Sequence, residues 1–149
     1  MRYLNLLAAT TVILMLGGHV EAQTSKPASE VVVAPLIVDA GNDALRTVAN
    51  SCVEQLVAAL KIKGVAVARD PQLTQKNLKS AAAPWAVLGR LDRKDAQFAL
   101  ELQLLEVQSG DEMRMYFNAD KDPQGACRSV GKVAERIAAF VGEQKGSKQ

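Results

Sequence analysis

The chain has 149 residues, with 18 Lys or Arg, 16 Asp or Glu and a formal net charge of +2. Its near-balanced charge and an aromatic content of 4% argue against a nucleic-acid surface, which needs clustered basic side chains and stacking rings. The single histidine, His19, falls in the export signal predicted below, so the exported chain is expected to have no Ser-His pair, no Cys-His pair and no histidine for zinc.

The first 22 residues have the organisation of a cleavable export signal. Met1 and Arg2 form a basic start, residues 4–16 are largely apolar, and Val20-Glu21-Ala22 has the small-x-small pattern that a signal peptidase cuts. The apolar stretch is shorter than the ~20 residues of a membrane-spanning helix. We therefore predict cleavage after Ala22, which leaves no integral membrane segment. A retained amino-terminal anchor is the alternative.

The next part of the chain predicts a strand, a helix and a second strand. Residues 23–29 are polar and predict a flexible leader. The apolar, β-branched run at 31–38 is typical of a strand that is buried on both faces. Asn42 is placed to cap a helix from Asp43 to about residue 62, and residues 65–68 form a short strand. This order implies a right-handed crossover and parallel pairing.

The second half predicts an antiparallel meander and a final helix. Segment 73–82 is expected to hold one or two helical turns. Strands are predicted at 85–91, 96–107 and 112–119, joined by a charged turn at 92–95 and a tight turn at 108–111. The last helix begins at Asp122-Pro123 and ends at Gly142, before a polar tail at 143–149.

These elements predict one domain at 30–142 of the α+β class. We expect a two-layer sandwich in which two main helices cover one face of a mixed, five-stranded sheet. The alternation of apolar and polar residues predicts that one face of the meander is buried. The side chains expected on that face are Phe98, Leu100, Leu102, Leu104, Met113, Met115 and Phe117.

The opposite face is predicted to be hydrated and able to bind a partner. Interfaces favour tyrosine and arginine, and an open edge strand can accept another strand. An ordinary hydrated sheet face is the alternative. The candidate interaction surface consists of Glu101, Gln103, Arg114, Tyr116 and Asn118.

Two cysteines, Cys52 and Cys127, are predicted to form a disulfide. An even number of cysteines in an exported domain favours a structural bridge. The two positions are 75 residues apart, and closing such a loop stabilises by roughly 4.5 kcal/mol in the chain-entropy model. Two buried thiols are the alternative, whereas a redox pair is disfavoured because there is no Cys-x-x-Cys motif.

The chain has no complete catalytic or metal-binding motif. Ser129 and Lys132 match Ser-x-x-Lys, but the companion motifs of penicillin-interactive enzymes are absent. Asp39 and Asp43 could bind a hard cation, but the EF-hand spacing is missing. We predict no enzyme activity and no catalytic, cofactor-binding or metal-binding residues.

The order of elements resembles the amino-terminal domain of the TolB family, which is related to CsgG-type lipoproteins and to lipoprotein activators of penicillin-binding proteins. The resemblance rests on the opening strand at 31–36, the strand at 85–91, the long strand and Ser-Gly turn at 100–110, and the helix at 133–137. It implies a non-catalytic, periplasmic interaction module whose partner is another envelope or periplasmic protein. The alternative is a small-ligand binding or carrier protein with a pocket between the sheet and segment 73–82.

Overall fold

The computed structural model describes residues 28–147, so the predicted signal peptide and residues 23–27 of the predicted leader lie outside the described residues. A six-residue 3₁₀ helix at Gln75–Ser80 occupies the segment predicted to hold helical turns. The strands are β1 (Val31–Val33), β2 (Val67–Arg69), β3 (Trp85–Lys94), β4 (Gln97–Glu106) and β5 (Glu112–Asp120), and the α-helices are α1 (Asp43–Ile62), α2 (Pro123–Cys127) and α3 (Val130–Gly146).

The five strands form one mixed sheet in the order β2-β1-β3-β4-β5. Strand β1 pairs in parallel with both β2 and β3, whereas β3, β4 and β5 pair antiparallel. The architecture is α+β, and the predicted parallel crossover and antiparallel meander are both confirmed. Strands β2 and β5 form the two edges of the sheet.

Strand β1 is shorter than the apolar run that predicted it. Pro35 has no backbone N–H and cannot continue the ladder, so regular pairing ends after Val33. The chain then meets β3 again at a single bridge, where the Ile37 N–H donates to the Gly89 carbonyl and the Leu91 N–H donates to the Ile37 carbonyl, each at 2.9 Å. The bridge brings the Ile37 side chain to the sheet, where it is 68% exposed.

Helix α1 begins and ends as its sequence predicts. The Asn42 side chain accepts a hydrogen bond from the Leu45 N–H at 2.9 Å and so caps the first turn. The helix ends before Gly64, whose φ of +79° lies in the left-handed region that glycine adopts without strain. The apolar face of α1 is buried in the main core, which also contains one face of the sheet and the apolar faces of α2 and α3.

The final helix is divided into α2 and α3. The Asp122 carboxylate caps α2 by accepting from the Gln124 and Gly125 N–H groups. A disulfide joins Cys127 at the end of α2 to Cys52 in the middle of α1, with their Cα atoms 5.6 Å apart. The cysteine pair predicted from the sequence is therefore bridged, and the bridge links the first long helix of the domain to the short helix that precedes its last one.

Helix α3 continues past the predicted end at Gly142, which is wrong by one helical turn. The helix runs to Gly146, and Lys145 in this added turn forms an ion pair with Glu30 next to β1. A glycine inside a helix costs only about 1 kcal/mol relative to alanine, and this ion pair offsets part of that cost. The first four residues of the predicted polar tail are thus helical.

A second, smaller core lies on the other face of the sheet. The connection between β2 and β3 crosses this face and buries Leu73 and Leu78 against it. The face predicted to be wholly hydrated is therefore partly covered, and only the part over β3, β4 and β5 remains open. The second core contains Val32, Ala34, Leu73, Leu78, Ala86, Leu88, Leu105 and Val107.

Strand β3 is longer than predicted and includes part of the predicted turn at 92–95. It pairs with β4 as far as Lys94 and Gln97, so the hairpin turns at Asp95 and Ala96 alone. Asp95 has a φ of +57°, which aspartate tolerates in a tight turn. Asp92 is consequently a strand residue, and it is only 6% exposed.

Candidate functional site

The open face is the part of the sheet over β3, β4 and β5 that neither the helices nor the β2–β3 connection covers. Cross-strand pairing places its side chains in rows. One row consists of Arg90, Glu101 and Phe117, and the next consists of Gln103 and Met115, beside Leu88 at the border of the second core. Apolar and polar side chains thus lie next to one another on this surface.

The structure divides the five residues of the predicted interaction surface between the two faces. Glu101 and Gln103 lie on the open face, where they are partly exposed. Tyr116 pairs with Leu102 and is buried in the main core, and Arg114 and Asn118 lie on the same side as Tyr116. The prediction that all five share one face is wrong.

The error arises in β5, whose two faces are exchanged relative to the prediction. The β4–β5 hairpin pairs Leu100, Leu102 and Leu104 with the even-numbered residues of β5, so those residues face the helices. A bulge near Leu104 and Leu105 leaves Met113 beside the main core. Met115 and Phe117, predicted to be buried, are instead 54% and 62% exposed.

The three misassigned residues have structural contacts on the helix side. Burial raises the pKa of the Tyr116 phenol, against the opposing charges of Arg114 and Arg136. The Arg114 guanidinium lies over the Phe140 ring at 5.0 Å. The Asn118 amide donates to two carbonyls of α2, at 2.7 Å to Ala126 and 3.3 Å to Gly125. These contacts hold β5 against the helices.

A groove of about 350 Å³ lies on the open face beside the β2–β3 connection. Ile37 and the connection form one side, and the polar side chains of β3 and β4 form the other. Glu101 and Gln103 line it, so two of the predicted surface residues belong to this site. The complete lining is Pro35, Ile37, Leu73, Thr74, Gln75, Leu88, Gly89, Arg90, Glu101 and Gln103.

Gly89 allows the chain to pack closely at the base of this groove. A Cβ at this position would lie 2.5 Å from the Glu101 carbonyl oxygen and 2.8 Å from the Leu36 side chain. Both distances are well inside normal van der Waals contact. The absence of a side chain at Gly89 therefore lets Leu36 approach the sheet while Ile37, on the opposite side of the chain, reaches the groove.

Charged side chains alternate in sign along the open face. The Arg90 Nε lies 2.5 Å from one oxygen of Asp92, and the Lys94 Nζ lies 2.7 Å from a Glu101 oxygen. The other Asp92 oxygen is buried and has no hydrogen-bond partner among the described residues. The groove on this face offers the Arg90 guanidinium, the Glu101 carboxylate and the Gln103 amide next to apolar surface, which suits binding of a polar chain or molecule.

The residues considered for catalysis or metal binding lie on the protein surface or in a surface ion pair. Ser129 precedes α3 and Lys132 is exposed on its first turn, while Asp43 pairs with Arg46. Within residues 28–147, no group of three or more His, Cys, Asp or Glu side chains could hold a metal ion. In the same range, none of the helices combines the length and hydropathy needed to cross a bilayer.

Comparisons with known proteins identify the fold. No family model and no curated protein sequence matches the chain. Among solved structures, protein XCC0632 from Xanthomonas campestris is 13% identical, with 80% of this chain and 89% of that chain covered and a TM-score of 0.51. At this identity the match shows a shared fold and says nothing about activity.

Two further structures match at lower TM-scores. The PelC dodecamer from Paraburkholderia phytofirmans is 18% identical over 76% of this chain and 84% of that chain, with a TM-score of 0.48. TolB from Acinetobacter baumannii is 17% identical over 76% of this chain and 29% of that chain, with a TM-score of 0.47. TolB, to which the sequence shows a resemblance, is thus among the solved structures that match the chain.

Proposed function

We propose that this chain is an exported, non-catalytic interaction module of the cell envelope that binds a partner protein at the groove on its open face. The observation that carries the proposal is the groove itself, in which exposed apolar surface adjoins charged and amide side chains. The export signal predicted at 1–22 supports the location, and the resemblance of the sequence to the TolB family supports an envelope role.

The composition of the groove favours a protein partner. Ile37 projects from an irregular segment and is 68% exposed, which is the kind of anchor that a partner's pocket can bury. Arg90 lies beside it at the bridge between the two segments, and arginine is enriched among residues that dominate binding energy. The ion pair with Asp92 holds the guanidinium in place, so little side-chain entropy is lost on binding.

In-cell photo-crosslinking tests this proposal. A photoreactive residue at position 37 should capture one dominant envelope protein, identified by mass spectrometry. The matched control is position 62, because Ile62 is 83% exposed but lies at the carboxyl end of α1, away from the groove. The sequence predicted a hydrated Tyr116 and so favoured position 116 for the photoreactive residue. That position is unsuitable because the Tyr116 side chain is buried.

Two outcomes decide the matter. Capture of the same protein from position 37 and not from position 62 supports the groove as the binding site. If position 37 captures no partner in cells that export the protein, or if both positions capture the same mixture, the proposed site is wrong.

A second candidate function is binding of a small ligand in the same groove. Its volume of about 350 Å³ lies at the lower end of the range of small-molecule sites, roughly 300–1,000 Å³. Native mass spectrometry of the exported protein would reveal a bound molecule. That molecule, added back at 100 times its dissociation constant, should stabilise the fold by ~2.7 kcal/mol, and Ile37→Asp should reduce the gain.

A further inference from the structure

Strand β5 has an outer edge that pairs with no strand in the described part of the chain. It is nine residues long and lies at the end of the sheet. The opposite edge strand, β2, has only three residues and ends at the exposed Arg69. Unpaired backbone N–H and C=O groups along a long edge are a template for another strand, so β5 is the edge at which pairing is expected.

The hydrogen bonds of β4 identify which backbone groups of β5 point outward. The Val107 N–H donates to the Pro84 carbonyl, and the Glu106 N–H donates to the Asp111 carbonyl. Odd-numbered residues of β4 therefore bond towards β3, and even-numbered residues bond towards β5. Because even residues of β4 pair with even residues of β5, the outward groups of β5 belong to Met115, Phe117 and Ala119.

The same residues also carry exposed apolar side chains. Met115 and Phe117 are the two large apolar residues of β5 on the open face, and they are 54% and 62% exposed. Natural edge strands usually carry charged or bulged positions that discourage pairing; in β5 the bulge lies at the start of the strand, and the outward-bonding residues 115, 117 and 119 carry no charge. In β5 the same residues carry the unpaired backbone groups and the exposed apolar side chains. A strand that pairs with this edge would therefore satisfy the backbone groups and cover part of the apolar surface at once.

We propose that a second copy of this chain covers the edge, so that the β5 strands of two protomers pair antiparallel about a two-fold axis at Phe117. Phe117 would pair with Phe117 of the partner subunit. Met115 would pair with Ala119 of the partner subunit on each side of the axis. The two sheets then join into one, with a continuous apolar row across the junction.

Charge selects this register. With the axis at Phe117, Arg114 lies opposite Asp120 of the partner subunit, and the symmetry gives this favourable pair twice. With the axis one residue earlier, at Tyr116, Glu112 would lie opposite Asp120 of the partner subunit, which is unfavourable twice. The register about Phe117 thus combines the apolar row with complementary charges.

This dimer is independent of the partner protein proposed above. The lining of the groove does not include Met115, Phe117 or Ala119, so both grooves stay open in the dimer, on the same face of the joined sheet. Edge pairing alone buries less area than a typical stable interface of roughly 1,600 Å². We therefore expect reversible association in the micromolar range or weaker.

Sedimentation velocity of the exported protein, from micromolar to millimolar concentration, measures the association. Phe117→Glu should weaken it by at least about tenfold, because two carboxylates would face each other at the axis. Ile62→Glu, at a still more exposed apolar position on α1, should leave it unchanged. Circular dichroism should show both variants folded, since both side chains are largely solvated. A protein that stays monomeric throughout, or an equal effect of the two variants, overturns the proposal.

Disulfide trapping tests the register. In the oxidised protein, Phe117→Cys should form a covalent dimer, because residues paired by hydrogen bonds at the axis have Cα atoms about 5.5 Å apart, within disulfide range. Met115→Cys is the control. Its two copies would be separated by four residues along the strand, roughly 14 Å. Comparable dimer yields from the two variants, or a covalent product of Phe117→Cys with a different envelope protein, would contradict the proposed pairing.

Discussion

Removal of the Cys52–Cys127 disulfide should lower the free energy of unfolding by several kcal/mol. The bridge joins residues 75 apart in sequence, and in the chain-entropy model closing such a loop removes unfolded-state entropy worth roughly 4.5 kcal/mol. Both cysteines are buried in the main core, at 2% and 3% exposure, so replacing them with alanine also removes packed sulfur atoms. The effect of the cross-link must therefore be separated from the effect of the lost volume.

Urea denaturation of three forms makes that separation. The forms are the oxidised protein, the same protein held reduced, and the Cys52→Ala/Cys127→Ala double variant. Reduction retains both sulfur atoms, so its cost reports the cross-link, and the further loss in the double variant reports packing. Equal midpoints for the oxidised and reduced forms would refute the reasoning, as would titration of two free thiols in the denatured, unreduced protein.

Three other perturbations test the core and the ionisable groups. Leu56→Ala should cost about 2–5 kcal/mol in urea denaturation, because Leu56 is 1% exposed in the main core; a change near zero would contradict its packing. Burial alone would raise the pKa of Glu30, but hydrogen bonds from Lys145 and the Ala66 N–H lower it below its ordinary value of 4.5. Because the carboxyl has a lower pKa in the folded than in the unfolded protein, its ionised form stabilises the fold at pH values above 4.5. This stabilisation is lost as the pH falls through the folded-state pKa. Glu30→Gln should therefore destabilise by about 1–2 kcal/mol at neutral pH and much less in acid, and a constant difference across that range would exclude the ion pair as the cause. Because burial raises the pKa of Tyr116 above its ordinary value of 10.0, its phenolate should form at a higher pH in the folded protein than in the urea-unfolded protein in an ultraviolet titration, and equal midpoints would place the side chain in solvent.

Local sequence signals predicted most of the fold. The Asn42 cap, the apolar face of α1 and the terminal glycine defined that helix at both ends because each acts over only a few residues. Two rules predicted part of the sheet order: a strand–helix–strand unit pairs β1 with β2 in parallel, and short turns make β3, β4 and β5 antiparallel neighbours. The parallel pairing of β1 with β3, which joins the two parts of the sheet, was not predicted. The disulfide was predicted from the even number of cysteines and the expected oxidising compartment. The structure adds that the two cysteines lie close together, which the sequence alone does not show.

Signals that depend on distant neighbours were missed. The β2–β3 connection covers part of the second face because Leu73 and Leu78 meet a patch of apolar side chains from three strands, which no local pattern reveals. The groove depends on this connection and on the bridge at Ile37. Its position was anticipated only in outline, as a possible pocket between the sheet and segment 73–82, while its lining required the structure.

The faces of β5 show why alternation alone was insufficient. Burying Met115 and Phe117 would gain about 1.5–3 kcal/mol for each side chain, so composition favoured placing them inside. A one-residue slip would, however, turn Tyr116 out of the core and move the Asn118 amide away from the α2 carbonyls it bonds. The observed hairpin register is therefore favoured over the slipped one. In a single copy of the chain, it leaves the Met115 and Phe117 side chains exposed to water. Pairing of β5 with a second copy would recover part of that burial without altering the register, which is the physical reason to expect association at this edge.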